Sequence, residues 1–295
     1  SRRQLAGVLN MSDSSFILTL TSAPLPGIIA AVGTTIAELD GNIIETNQHW
    51  DRGTDRFFLR VAFVGPARLT GQAVEQALGP AVARFGLEFR IADASHRPCI
   101  VAMVSKFDHA LLHLLYQIRV GWLQAEVTAI VSNHEEARTI AEAAGIRVGH
   151  LPITPATKPA QEAALLALLD ETGAEAVILA RYMQVLSDDL SRKLSGRVIN
   201  IHHSFLPAFK GAKPYHQAYE RGVKQIGATA HYVTGDLDEG PIIEQDVARV
   251  SHADTAEDLV AIGRDIESRV LARAVKLHLE RRVMLSGSRT VIFGK

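Results

Sequence analysis

Asn200 and His202 stand where the apolar run Val198-Ile199-Asn200-Ile201 ends, and Asp238 opens the acidic turn Asp238-Glu239-Gly240-Pro241 between two further apolar runs. An amide, an imidazole and a carboxylate brought together can stabilise an oxyanion, move a proton and orient the imidazole. Each residue alone has a plainer reading. A strand-end Asn commonly just closes a turn, a single His is often a structural hydrogen-bonding residue, and Asp-Glu-Gly-Pro is good turn chemistry, which would leave Asp236, Asp238 and Glu239 as solvated acids. What favours chemistry is their concentration between Val198 and Asp246. The neighbours His202 and His203 do not read as a metal pair, because adjacent residues of an extended segment point to opposite sides. Lys210 and Lys213, on either side of Gly211, could hold an anion, although exposed loop lysines usually hold nothing.

The elements that must position these residues follow from the apolar pattern. After Pro98 the chain alternates short, nearly continuous apolar runs with amphipathic stretches: strands at 99–104, 127–131, 147–151 and 176–179, helices at 108–119, 135–144 and 158–172. This alternation predicts a parallel sheet covered on both faces, with Val198 to Ile201 as its next strand. Ligands of such sheets bind beyond the carboxyl ends of the strands, which puts Asn200 and His202 on the chemically active edge. The stretch Leu179 to Ser187 follows a parallel strand and can line a pocket, although core packing explains most of its apolar residues equally well. Two apolar stretches, 226–233 and 242–250, and a long helix from about Thr255 to Arg282 complete this part. After its first strand a phosphate-binding protein would often carry a glycine-rich loop. Here the residues are Ser105-Lys106-Phe107-Asp108-His109, with no glycine to let a phosphate approach the backbone, which weighs against a nucleotide ligand.

Before Pro98 the order is strand, helix, strand, strand, helix, strand, at 16–21, 28–40, 42–49, 56–64, 69–85 and 87–92. This βαββαβ order is ferredoxin-like, with two helices on one sheet face, and the open face or edge is expected to support self-association. The α/β chain therefore divides into a small domain at 1–93, a polar linker at 94–98 and a larger domain at 99–295. Its 295 residues suit two domains; 47% apolar and 21% charged residues are ordinary for a globular protein, and a formal net charge of -1 argues against a chain-wide basic surface for nucleic acid. The single cysteine, Cys99, allows neither an intrachain disulfide nor a multi-cysteine metal site. No apolar run approaches the ~18 residues of a membrane span, and no apolar segment follows Ser1-Arg2-Arg3-Gln4. A cytoplasmic location is expected.

From about Phe16 to Phe293 the chain resembles the formyltetrahydrofolate deformylases, the hydrolase branch of the folate-dependent formyltransferases. The most specific stretches are Val104 to His109, Leu179-Ala180-Arg181-Tyr182-Met183 and Asn200 to Asp246. The small domain resembles an ACT domain through Pro26-Gly27-Ile28 and Gly41-Asn42-Ile43, with Pro24 and Leu25 where that pattern usually has an acidic and then a basic residue. The resemblance implies a small ACT regulatory or assembly domain followed by a Rossmann-like formyltransferase domain with a mainly parallel sheet.

It also implies the site. The formyltransferase pattern N-x-H, followed by a D-x-G-P turn, places the catalytic residues on Asn200, His202 and Asp238. The pterin of the folate would lie against Met183, Gln184, Val185 and Leu186 and against Thr234, Gly235 and Asp236, with His231 in support. The implied reaction is hydrolysis of 10-formyltetrahydrofolate to tetrahydrofolate and formate, within one-carbon metabolism and purine biosynthesis. No permanently bound cofactor and no metal are expected; the partners expected are the folate substrate, an amino-acid effector at the ACT-like domain, and further copies of the chain as dimer or tetramer, without nucleic acid or membrane. Two rivals stand beside this reading: a transferase giving the formyl group to an amine such as glycinamide ribonucleotide, and a non-catalytic folate-binding regulator.

Overall fold

The computed structural model describes residues 13–207 and 213–294, so Lys210 and Gly211 lie outside the described residues. The chain forms two compact units. One takes in the described residues up to His96 together with Glu280–Ser286 and the residues from Val291 on; the other comprises Arg97–Leu279 and Gly287–Thr290.

In the first unit the elements are β1 (Ser14–Ser22), α1 (Ile28–Glu38), β2 (Asn42–Asp51), β3 (Arg56–Gly65), α2 (Gly71–Phe85) and β4 (Glu88–Asp93). They make a four-stranded sheet in the order β2-β3-β1-β4, in which every pairing is antiparallel. Alternation along β1 sends Phe16, Leu18 and Leu20 into a core shared with Ile28, Val32 and Ile36 of α1 and Val74, Leu78 and Phe85 of α2. The second helix begins two residues later than the apolar pattern suggests, because the Thr70 hydroxyl accepts the Ala73 backbone N–H at 3.2 Å and caps it.

The larger unit carries β5 (Cys99–Val104), α3 (His109–Arg119), β6 (Glu126–Ser132), α4 (Ala137–Ala144), β7 (Arg147–His150), α5 (Lys158–Thr172), β8 (Ala176–Leu179), α6 (Asp188–Lys193), β9 (Val198–His202), α7 (Pro214–Arg221), β10 (Gln225–Tyr232), β11 (Ile242–Arg249) and α8 (Ala256–Leu279). The sheet order is β11-β10-β9-β8-β5-β6-β7. Strands β5 to β9 run parallel, whereas β10 is antiparallel to both β9 and β11. The strands nearest the middle are those with unbroken apolar runs. Ile100, Val101, Ala102 and Met103 are all fully buried, as a strand covered on both faces requires.

The expected extent of the larger domain, 99–295, is corrected at its end. After α8 the chain turns into the hairpin β12 (Val283–Ser286) and β13 (Arg289–Ile292), and most of this tail joins the first unit. Charge explains the attachment. Arg282 is buried and contacts both carboxylate oxygens of Glu45 on β2 at 2.8 Å, while Arg60 of β3 reaches Glu45 at 3.1 Å and the Glu280 carbonyl at 3.1 and 3.2 Å. Two buried guanidinium groups thus depend on residues from both ends of the chain.

Candidate active site

Strand β9 delivers Asn200 and His202 to the carboxyl edge of the parallel strands, and antiparallel pairing with β10 sets His231 directly opposite Asn200. The His231 imidazole donates from Nδ1 to the Tyr232 carbonyl at 2.9 Å, which leaves Nε2 as acceptor for the Asn200 side-chain amide at 3.2 Å. Burial holds the His231 pKa below its ordinary value and keeps the ring neutral, consistent with this tautomer. One N–H of Asn200 is therefore fixed by His231, and its amide makes no other side-chain hydrogen bond among the described residues.

Asp238 lies in the turn between β10 and β11 with a left-handed backbone, φ 58°. Its carboxylate accepts from Nδ1 of His202 at 3.2 Å. The hydrogen bond from His202 is the main cause that holds the Asp238 carboxyl below the usual carboxylate range, overcoming the opposing effect of burial. On the far side of the ring, His202 Nε2 is buried without a hydrogen-bond partner among the described residues. An imidazole oriented by a carboxylate at Nδ1 and unsatisfied at Nε2 is set to exchange a proton with something bound beside it.

Gly240 fixes the turn that carries Asp238. A Cβ at this position would fall 1.7 Å from the Tyr232 carbonyl oxygen, so only glycine lets the turn press against β10. The Tyr232 N–H bonds to the Pro241 carbonyl at 2.9 Å and completes the docking. The glycine and proline that read as ordinary turn chemistry therefore set the position of the carboxylate.

The segments expected to hold the pterin also converge. The Met183 amide donates to the Ser105 hydroxyl at 3.0 Å, Gln161 of α5 donates to the Tyr182 hydroxyl at 3.0 Å, and Glu162 receives the Ser187 amide and hydroxyl at 2.7 and 2.5 Å. The stretch Met183 to Leu186 is thus clamped at both ends. Gly235 faces Asp188, at the start of α6: a Cβ on Gly235 would lie 3.5 Å from the Asp188 carboxylate, which brings the second segment alongside the first. Leu186 is buried and Gln184 half-buried, whereas Met183, Val185 and the unforeseen Leu237 are exposed apolar side chains. Thr234 and Asp236 are exposed, and the Thr234 hydroxyl bonds the Asp236 carbonyl at 3.1 Å. Three exposed apolar groups beside a partly buried polar trio suit a flat, partly apolar ligand.

Sequence reasoning missed a second polar cluster at the same edge. Glu267 of α8, 1% exposed, accepts from His109 Nε2 at 2.9 Å and from the Tyr215 hydroxyl at 2.8 Å, and lies 3.2 Å from Nε of Arg181. The signal was present: Glu267 occupies a core-facing position of a helix between Ile266 and Val270, where an acid needs a partner. Gly263, one turn earlier, admits the Tyr215 ring, since a Cβ there would sit 2.2 Å from its Cζ.

Residues 99–275 match the sequence pattern of the family described as formyl transferase. A formyltetrahydrofolate deformylase of Corynebacterium sp. (strain P-1) is 49% identical over 279 residues, which cover 94% of this chain and 97% of that protein. The chain belongs to the formyltetrahydrofolate deformylase family. Among solved structures, the family member from Burkholderia mallei ATCC 23344 superposes with a TM-score of 0.91 at 48% identity, covering 95% of this chain and 100% of that one. A glycinamide ribonucleotide transformylase from Symbiobacterium toebii covers 68% of this chain with a TM-score of 0.63 at 34% identity. The deformylase family and this transformylase thus share the formyltransferase fold of the larger unit, and the smaller unit has the strand order of an ACT domain.

Proposed function

We propose that the chain hydrolyses 10-formyltetrahydrofolate to tetrahydrofolate and formate at Asn200, His202 and Asp238. Family membership supports the substrate, and the observation that carries the residue assignment is the Asp238–His202 pair with its unsatisfied Nε2. Water attacks the formyl carbon. The N–H of Asn200 and the Nε2 proton of protonated His202 stabilise the oxyanion, Asp238 orients the imidazole and assists the transfer of the proton that the attacking water gives up, and His202 then protonates N10 as the carbon–nitrogen bond breaks. The pterin lies against Met183 to Leu186 and Thr234 to Asp236, and His231 acts through Asn200.

Water as acceptor is favoured by the loop after β5, where Phe107 stands in place of a glycine-rich phosphate cradle. A ribonucleotide must be held by its phosphate if its amine is to sit at ~3 to 3.5 Å from the formyl carbon. The shared fold with a transformylase supports the rival acceptor. Both readings are tested by supplying 10-formyltetrahydrofolate with and without glycinamide ribonucleotide and following formate and formylated product separately. Formate release with no added acceptor is expected; preferential formylation of the ribonucleotide would establish the transferase, and neither product would leave the non-catalytic regulator.

The same reading places the protein in the cytoplasm, with the small unit serving assembly and an amino-acid effector. No helix among the described residues is long and apolar enough to cross a membrane. Edge strand β2 exposes Ile43, Ile44 and Trp50, which supports self-association through this unit.

A further inference from the structure

Arg181 is the anomaly of the active edge. Its backbone is left-handed, φ 66°, a conformation that favours glycine, yet the position carries one of the longest side chains available. That side chain is buried, 10% exposed, with Nε 3.2 Å from the Glu267 carboxylate, while Nη1 has no hydrogen-bond partner among the described residues. In the parallel register Leu179, two residues before Arg181 and the last of β8, pairs with Asn200. The Arg181 carbonyl accepts from the Ser105 amide at 3.2 Å, and its guanidinium lies 5.7 Å from the centroid of Phe107, in the loop where an acceptor's anchor would be needed.

Resting on the hydrolase reading above, we propose that Arg181 is the residue that selects water as acceptor: its buried guanidinium, held through Nε beside Glu267, occupies the acceptor side and offers the unpaired Nη1 donor to a small oxygen ligand. A fixed cation repels an amine, which in neutral water is largely an ammonium ion, but accepts a neutral water or the formate anion that leaves. A buried N–H without an acceptor is costly, so the site is complete only when an oxygen sits there. The positive field of Arg181 also reaches His203, next to His202, where with burial it helps push that imidazole down to about 3 and keeps it neutral.

The cluster explains why a glycine-compatible backbone keeps its arginine. Without the guanidinium, Glu267 would be a buried carboxylate with only the His109 and Tyr215 donors, and the space beside the formyl carbon would open. A small amine could then attack: the bond from carbon to N10 breaks, a bond from carbon to the amine forms, and N10 receives the proton the amine gives up.

The test compares the full chain with Arg181→Gly, Arg181→Lys and the double variant Arg181→Gly/Glu267→Gln. Each is given 10-formyltetrahydrofolate with a large excess of the small primary amine glycinamide, and formate and formylglycinamide are measured separately. The double variant removes the uncompensated carboxylate, and glycine relieves the backbone at this φ, so at least one cavity-opening variant folds, as thermal melting will verify. Formate turnover is expected to fall about tenfold or more in both glycine variants and the formylglycinamide share to rise about tenfold, with Arg181→Lys between them and wild type. A folded glycine variant with wild-type partitioning would overturn the role of Arg181 while leaving the hydrolase reading intact. Wild-type protein that releases no formate would remove the hydrolase reading itself, and this inference with it.

Discussion

His202 and Asp238 touch, so their losses should not add. Either His202→Ala or Asp238→Asn is expected to lower kcat by roughly 10² or more, and the double variant should be little worse than the poorer single one. Wild-type turnover in His202→Ala would end the assignment. His203 gives a pH prediction of definite sign. Its folded pKa is about 3, against about 6.5 for an unfolded histidine, so between these values the unfolded chain holds more protons. The stabilisation from a neutral, buried His203 is complete above about pH 6.5 and drains away as pH falls, with a slope of at most about 1.4 kcal/mol per pH unit. Urea unfolding at about pH 7 and about pH 5 should show this loss, and His203→Gln should shrink it. At this scale Asn200 and His202 stand out as polar residues at the end of an apolar run and Asp238 as an acid in the turn between two such runs, and the structure brings His202 and Asp238 into contact. Glu267 signalled only that an acid on a core-facing helix position needs partners; those partners, His109, Arg181 and Tyr215, are remote from it in sequence.

At the scale of elements, the runs 99–104, 158–172 and 176–179 coincide with β5, α5 and β8, since full burial imposes an unbroken apolar run on strands and helix-period spacing on the helix. What went unread was short or polar. α6 has six residues and depends on the Ser187 hydroxyl, which accepts from Leu190 at 3.2 Å; α7 starts at Pro214; and the strands of the β12–β13 hairpin have only four residues each. Two variants probe the elements around the site. Gly240→Ala forces a Cβ onto the Tyr232 carbonyl and must shift the turn bearing Asp238, so kcat/KM should drop by about 10² even if the protein still melts cooperatively. Near-normal kinetics would show that the turn does not set the carboxylate. Glu162→Ala removes both bonds to Ser187 and frees one end of the Met183–Leu186 stretch; KM for the folate should rise several-fold with kcat within about twofold. A change confined to kcat would contradict a binding role for that segment.

For the whole molecule, the break between units falls between His96 and Arg97, inside the polar stretch at 94–98, while the return of the tail to the first unit gave no sequence signal. Ion pairs between Arg282 and Glu45 depend on topology, and no local pattern reports them. Arg282→Ala should destabilise the first unit by about 2 kcal/mol, read as a lower urea midpoint, with formate release from folded protein unchanged. The fragment 97–279 contains every candidate catalytic residue and leaves out the orphaned Arg282. It is expected to fold, bind folate and release formate, but to lose assembly or effector response. Sedimentation of this fragment at the subunit number of the full chain, with regulation intact, would refute a role for the small unit in either.

The return of the tail also fixes an order of events during synthesis. The first ninety or so residues emerge from the ribosome long before Glu280 and Arg282, so β2 and β3 must wait, with Glu45 and Arg60 lacking their final partners, while the whole larger unit is made. The segment born first is therefore the one finished last. A premature stop or frameshift between Leu279 and Arg282 strikes the unit built from the earlier part of the chain, far in sequence from the lesion.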